Sequence, residues 1–87
     1  MTDATMKYLI TNDHPEPLTV IVEPWAEEVV LSPKSSLSLT VFCDREGVLE
    51  VATDPNYFTV RFWSGCRLKL AVNGRALTMP SLLIPSP

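Results

Sequence analysis

Residues 36–43 read Ser-Leu-Ser-Leu-Thr-Val-Phe-Cys, and this octet decides the fold class. On an extended chain successive side chains point to opposite sides, so Leu37, Leu39, Val41 and Cys43 share one face while Ser36, Ser38 and Thr40 share the other. Wound into a helix, the same apolar residues would be spread around the whole cylinder. The segment is therefore a strand with one dry face and one wet face.

The same period recurs on both sides of the octet. Upstream, Leu18, Val20 and Val22 alternate with Thr19, Ile21 and Glu23 until Pro24, which has no amide hydrogen to offer a ladder, ends the run. Downstream, Phe58, Val60 and Phe62 alternate with Tyr57, Thr59, Arg61 and Trp63, and Leu68, Leu70 and Val72 alternate with Arg67, Lys69 and Ala71. Shorter runs at 8–10, 28–32 and 48–53 complete the set. Turn chemistry separates them: the Asn12-Asp13 pair with Pro15 and Pro17, then Ser32-Pro33-Lys34-Ser35, then Asp54-Pro55-Asn56. Asp44-Arg45-Glu46-Gly47 reads as a hairpin joining 36–43 to 48–53, and Ser64-Gly65 as a tight reversal joining 57–63 to 67–72. Asn73-Gly74 is the strongest turn signal, because a two-residue type I′ loop needs positive φ at both positions; it predicts that 75–79 fold back on 68–72.

Eight short strands at regular spacing predict an all-β domain, an antiparallel β-sandwich or small barrel of about 7–8 strands, immunoglobulin/cupredoxin-like in architecture. Crossover helices are missing from the pattern, so every pairing is expected to be antiparallel. The 87 residues suit a single domain, 1–87, with 80–87 as an apolar tail framed by Pro80, Pro85 and Pro87 that either caps its own core or docks on a neighbour. No apolar run is long enough to span a bilayer and the first residues lack a basic, then apolar, leader; the expectation is a soluble cytoplasmic protein with no membrane partner. In that compartment Cys43 and Cys66 are expected as free thiols, Cys43 buried and Cys66 the more exposed, beside Arg67.

Charge is distributed unevenly. The first 54 residues hold all ten acids against three bases, a net −7, whereas the remainder holds Arg61, Arg67, Lys69 and Arg75 with no acid, a net +4. Cross-strand pairing of opposite charges is the plain explanation. The overall net of −3 argues against nucleic acid as a partner.

Residue counts exclude much chemistry. His14 is the only histidine, which leaves zinc hydrolysis sites and a two-histidine blue-copper centre short of ligands, so no metal or other cofactor is expected. The three glycines each serve a turn and none opens a phosphate loop, while adjacent Glu27 and Glu28 point to opposite faces and share no proton. No catalytic residue is assigned. What remains is aromatic and basic: Tyr57, Arg61 and Trp63 on one strand face, with Arg67 and Lys69 expected beside them if the next strand returns as a hairpin. Trp25, in the loop after Pro24, is a further candidate and more simply an end plug. Single-stranded nucleic acid would also stack on such a platform, but the acidic first half opposes it.

Asn12, the run Pro17-Leu18-Thr19-Val20-Ile21-Val22-Glu23-Pro24-Trp25-Ala26-Glu27, Ser32-Pro33, and Lys69-Leu70-Ala71-Val72-Asn73-Gly74 together resemble a group of short uncharacterised bacterial proteins. In that group a Glu-Pro-Trp element precedes a Pro-Gly turn and a terminal hairpin turns on Asp-Gly or Asn-Gly. The likeness covers roughly residues 8–77. This chain departs from it with Pro33-Lys34 in place of Pro-Gly. The resemblance implies a small all-β domain and carries no catalytic residues.

The functional expectation is a non-catalytic β-sandwich that binds another protein or itself, through a sheet face or edge. A small-molecule or carbohydrate-binding domain using Trp25 or Trp63 is the alternative, and a cysteine-dependent enzyme using Cys66 ranks third.

Overall fold

Alternating apolar residues that must leave water on one side only are satisfied by two sheets laid face to face. A computed structural model describes residues 4–78. It contains eight strands: β1 (Ala4–Thr11), β2 (Leu18–Glu23), β3 (Glu27–Leu31), β4 (Ser36–Cys43), β5 (Glu50–Thr53), β6 (Tyr57–Arg61), β7 (Cys66–Val72) and β8 (Arg75–Ala76). They form one sheet in the order β1-β4-β7-β8 and a second in the order β3-β2-β6-β5. The inward residues interlock as the core: Val20, Val22, Val29, Leu31 and Val60 from one sheet, and Leu37, Leu39, Val41, Leu68 and Leu70 from the other. The octet at 36–43 is buried at every second position, as its alternation demands.

Turns sit where their backbone requirements can be met. Asn73 (φ 50°) and Gly74 (φ 83°) close the β7–β8 hairpin in the left-handed region, as a type I′ loop requires. The β3–β4 turn places Lys34 at φ 67°, and the Ser35 amide donates to the Ser32 carbonyl across 3.0 Å. That is the type II position where glycine costs nothing and lysine costs about 1 kcal/mol.

Several expectations are corrected. Neither 44–47 nor 64–65 closes a hairpin; both connections carry the chain from one sheet to the other. The reason is that β4 already has β1 on one side and β7 on the other, leaving no edge for β5. The β4–β5 connection runs the six residues 44–49, since β5 starts at Glu50, and a chain rising about 3.3 Å per residue easily crosses the gap of about 10 Å between sheets. Pairing is not all antiparallel either: β2 and β6 are parallel, Thr19 opposite Tyr57 and Val22 opposite Val60. No crossover helix is needed, because β3, β4 and β5 together form the return path through both sheets. Strand bounds also move: β1 begins at Ala4, and β8 is confined to Arg75–Ala76, with one further bond from the Leu77 amide to the Leu70 carbonyl. Met79 and the tail at 80–87 lie outside the described residues.

The cysteines are not free thiols. Cys43 and Cys66 stand directly opposite one another on β4 and β7 and form a disulfide, 1% and 0% exposed. The register brings together two residues far apart in sequence, of which Cys43 reads, alone, as a small buried hydrophobe and Cys66 as a more exposed thiol.

Candidate functional site

The candidate patch of Tyr57, Arg61, Trp63, Arg67 and Lys69 is not brought together. Tyr57 and Arg61 point outward from the β3-β2-β6-β5 sheet, while Arg67 and Lys69 point outward from the opposite sheet. Trp63 lies in the β6–β7 connection, half-buried against the core, and its indole N–H donates to the Arg45 carbonyl across 2.9 Å. A Cβ added at Gly47 would overlap the Trp63 ring, so the glycine is what admits the indole. Trp25 packs at the same end, its ring 6.5 Å from that of Phe62. Both tryptophans thus close one end of the sandwich.

Sorting the outward residues by sheet gives a clearer surface. On the first sheet, register places Lys7, Thr40 and Lys69 in one row, Thr5, Phe42 and Arg67 in the next, and Leu9, Ser38 and Ala71 in another. The cations of β1 and β7 therefore flank β4, whose outward face is Ser36, Ser38, Thr40 and Phe42. Among the described residues this face carries no carboxylate. Lys69 Nζ lies 5.7 Å from the centre of the Phe42 ring, a cation–π contact, and a shallow hollow of about 340 Å³ opens between Phe42, Arg67 and Lys69. Leu9 is 69% exposed on the same face. Asp44, just past β4, is engaged elsewhere: its hydrogen bond to the Arg45 guanidinium, at 2.8 Å, holds its carboxyl below the usual range, with Arg67 a minor contributor.

Comparison with protein-family models, curated proteins and solved structures returns no match. The surface must therefore be read from its own chemistry, and the immunoglobulin/cupredoxin comparison stays at the level of two packed sheets.

The opposite sheet carries the contrasting charge. Its outward residues are Thr19, Ile21 and Glu23 on β2, Glu28 and Val30 on β3, Glu50 and Ala52 on β5, and Tyr57, Thr59 and Arg61 on β6. Three carboxylates face one guanidinium there. Arg61 stands between Glu23 and Glu50 in the register, and its guanidinium lies 4.0 Å from the Glu50 carboxylate. That contact is the cross-strand pairing anticipated from the charge distribution. The cations at 67 and 69 take no part in it, because the chain changes sheets at 62–65.

A second concavity lies at the end of the sandwich away from the tryptophans. The β1–β2 loop and the β5–β6 turn border a groove of about 310 Å³ lined by Asp13, His14, Asp54, Pro55 and Tyr57 among others. Asn12 fixes that loop. Although 0% exposed, it donates through Nδ2 to the Glu16 carbonyl at 2.8 Å and the Leu31 carbonyl at 3.0 Å, and its Oδ1 accepts from the His14 amide at 2.9 Å. Every strong bonding direction of the amide side chain but one lone pair is thereby used. Neighbouring turns are tied by Asn73, whose Oδ1 accepts from the Ser36 amide at 2.9 Å. The burial of Asn12 was not visible in the sequence, where it reads as a turn residue.

No three His, Cys, Asp or Glu side chains converge on a common point among the described residues. Cys66, expected as the exposed thiol, is buried and oxidised, so it offers no nucleophile while the bridge is formed. No helix among the described residues is long and apolar enough to cross a membrane.

Proposed function

We propose that this protein is a non-catalytic protein-interaction module whose contact surface is the outer face of the β1-β4-β7-β8 sheet. The supporting observation is the composition of that face: Lys7, Arg67 and Lys69 set among small hydroxyl side chains, with exposed Leu9 and half-buried Phe42 and no described carboxylate. A solvated sheet face ordinarily mixes both signs of charge, whereas a one-signed face with apolar footholds suits a partner of the opposite sign. Three cations over a whole sheet face are sparse for nucleic acid, where a duplex presents one phosphate per ~1.7 Å and affinity grows with the number neutralised. An acidic protein surface is the better complement. The buried Cys43–Cys66 bridge favours an oxidising compartment over a reducing cytoplasm as the place where this happens.

An amide NMR titration with an acidic, leucine-containing peptide tests the reading. Shifts are expected to cluster at residues 5–9, 38–42 and 67–71, and Lys69→Glu is expected to weaken binding about tenfold. Absence of shifts, or shifts confined to the far end of the sandwich, would contradict it. A small-molecule or carbohydrate binder is the second reading, favoured by the groove where exposed Tyr57 stands with Asp13, His14 and Asp54. The same titration with an oligosaccharide would move those residues instead.

A further inference from the structure

We infer that the partner is a second copy of this chain, docked with the outer face of its β3-β2-β6-β5 sheet on the cationic face of the first, so that copies stack head to tail. The inference rests on the cationic face being a contact surface and adds what covers it.

Sign of charge selects this arrangement. Two cationic faces brought together would oppose Lys7, Arg67 and Lys69 to their own copies, and two acidic faces, each with Glu23, Glu28 and Glu50 against the single Arg61, would set net negative charge against net negative charge. Only cationic against acidic is attractive. The self-complementary two-fold contact common among dimers is thus disfavoured here, and the unlike-face contact is favoured.

Apolar side chains fall on both surfaces. Leu9 (69% exposed) stands out from the cationic face, and Val30 (64%) and Tyr57 (46%) stand out from the acidic face, so each charged surface also offers area whose burial is favourable. Both surfaces are also four-stranded sheets built from one sandwich. Laying one on the other repeats the sheet-on-sheet packing already used inside the molecule, with strand directions about 30° apart.

The geometry limits the strength and shape of the assembly. The β3-β2-β6-β5 face is built of strands only four to six residues long; four such strands about 4.8 Å apart cover on the order of 300 Å² per partner, below the roughly 800 Å² of a standard stable interface. Each contact is therefore weak. Because each copy uses different faces for its two neighbours, the contact does not close on itself, and growth continues with concentration instead of stopping at a dimer.

Sedimentation velocity on the whole chain, with the disulfide intact, tests this between about 10 µM and about 1 mM protein. At low ionic strength, near 20 mM by rough choice, the weight-average sedimentation coefficient is expected to climb without a dimer plateau, and at about 300 mM salt it is expected to fall back towards the monomer. The double variant Lys7→Glu/Lys69→Glu, with two acidic faces, and the double variant Glu28→Lys/Glu50→Lys, with two basic faces, are each expected to stay monomeric. All four positions are outward, and unchanged circular dichroism verifies that the variants fold. Mixed in equal amounts, the two are expected to associate again. A wild-type chain that stays monomeric throughout, a discrete dimer, or association indifferent to both charge reversals would overturn the inference. The acidic-peptide titration separates the two readings: a monomer that still binds the peptide at Lys7 and Lys69 rejects stacking alone, and a monomer that does not rejects both.

Discussion

Breaking the Cys43–Cys66 bridge is expected to cost roughly 3 kcal/mol, because the unfolded chain regains the loop freedom that a bridge across 23 residues removes. For a domain of this size that is a large share of total stability, about 0.05–0.15 kcal/mol per residue, and corresponds to a fall in Tm of roughly 15–20 °C. Urea unfolding with and without a thiol reductant measures it. The midpoint should drop and the slope should rise, since a reduced unfolded chain exposes more surface. The variant Cys43→Ala/Cys66→Ala should show the same drop and no longer respond to reductant. Equal midpoints in the two conditions, or two reactive thiols in the denatured, unreduced protein, would contradict the assignment.

Asn12→Ala is expected to destabilise the fold by about 2–4 kcal/mol, because it leaves the Glu16 and Leu31 carbonyls and the His14 amide without their partner. The packing loss alone would be small, since Asn12 sits at the top of the sandwich and not among the strand side chains of the core. Asn12→Asp is a sharper test. It keeps the size and the acceptor for the His14 amide but sets a carboxylate oxygen against two carbonyl oxygens, so it should be at least as damaging as alanine. Equilibrium denaturation of the three proteins ranks them. A variant within about 0.5 kcal/mol of the wild type would show that the loop is not held by this side chain. The groove beside His14 and Tyr57 depends on it, so limited proteolysis at 13–17 should accelerate in the same order.

Much of the fold is legible in the sequence, because period two reports directly which side chains turn inward. The dry face of 36–43, the inward set Val20, Val22, Val60, Leu68 and Leu70, and the Asn73-Gly74 hairpin all follow from local chemistry. Lateral neighbours do not. Alternation fixes that Lys69 points away from the core, yet nothing local says that β7 pairs with β4 and not with β6, and that choice alone moves Arg67 and Lys69 away from Arg61 and into line with Lys7. The charge asymmetry is visible along the chain, but its direction in space requires the sheet order. Lys7, Leu9 and Phe42 were missed for this reason; the signal available was that β1 and β7 each show a lysine at an outward position, opposite the serine and threonine face of β4. The disulfide was missed because residues 43 and 66 become neighbours only once the register of β4 and β7 is known. The place of Trp63 in the β6–β7 connection was not legible, because an aromatic beside charged residues looks the same whether it faces solvent or lies over Gly47.

Interstrand α-proton contacts by NMR test the central claim, that the chain changes sheets between β6 and β7 and so separates two faces of opposite charge. The Cys43 and Cys66 Cα atoms lie 4.2 Å apart, the close spacing of a pair without mutual backbone hydrogen bonds, and Val41–Leu68 and Leu39–Leu70 belong to the same class by alternation. Strong α-proton contacts within those two pairs are the predicted result. Contacts joining residues 57–61 to 67–71 as a hairpin about Ser64-Gly65 would contradict it, because they would place Arg61 beside Lys69 on a single mixed surface and remove the opposed faces altogether.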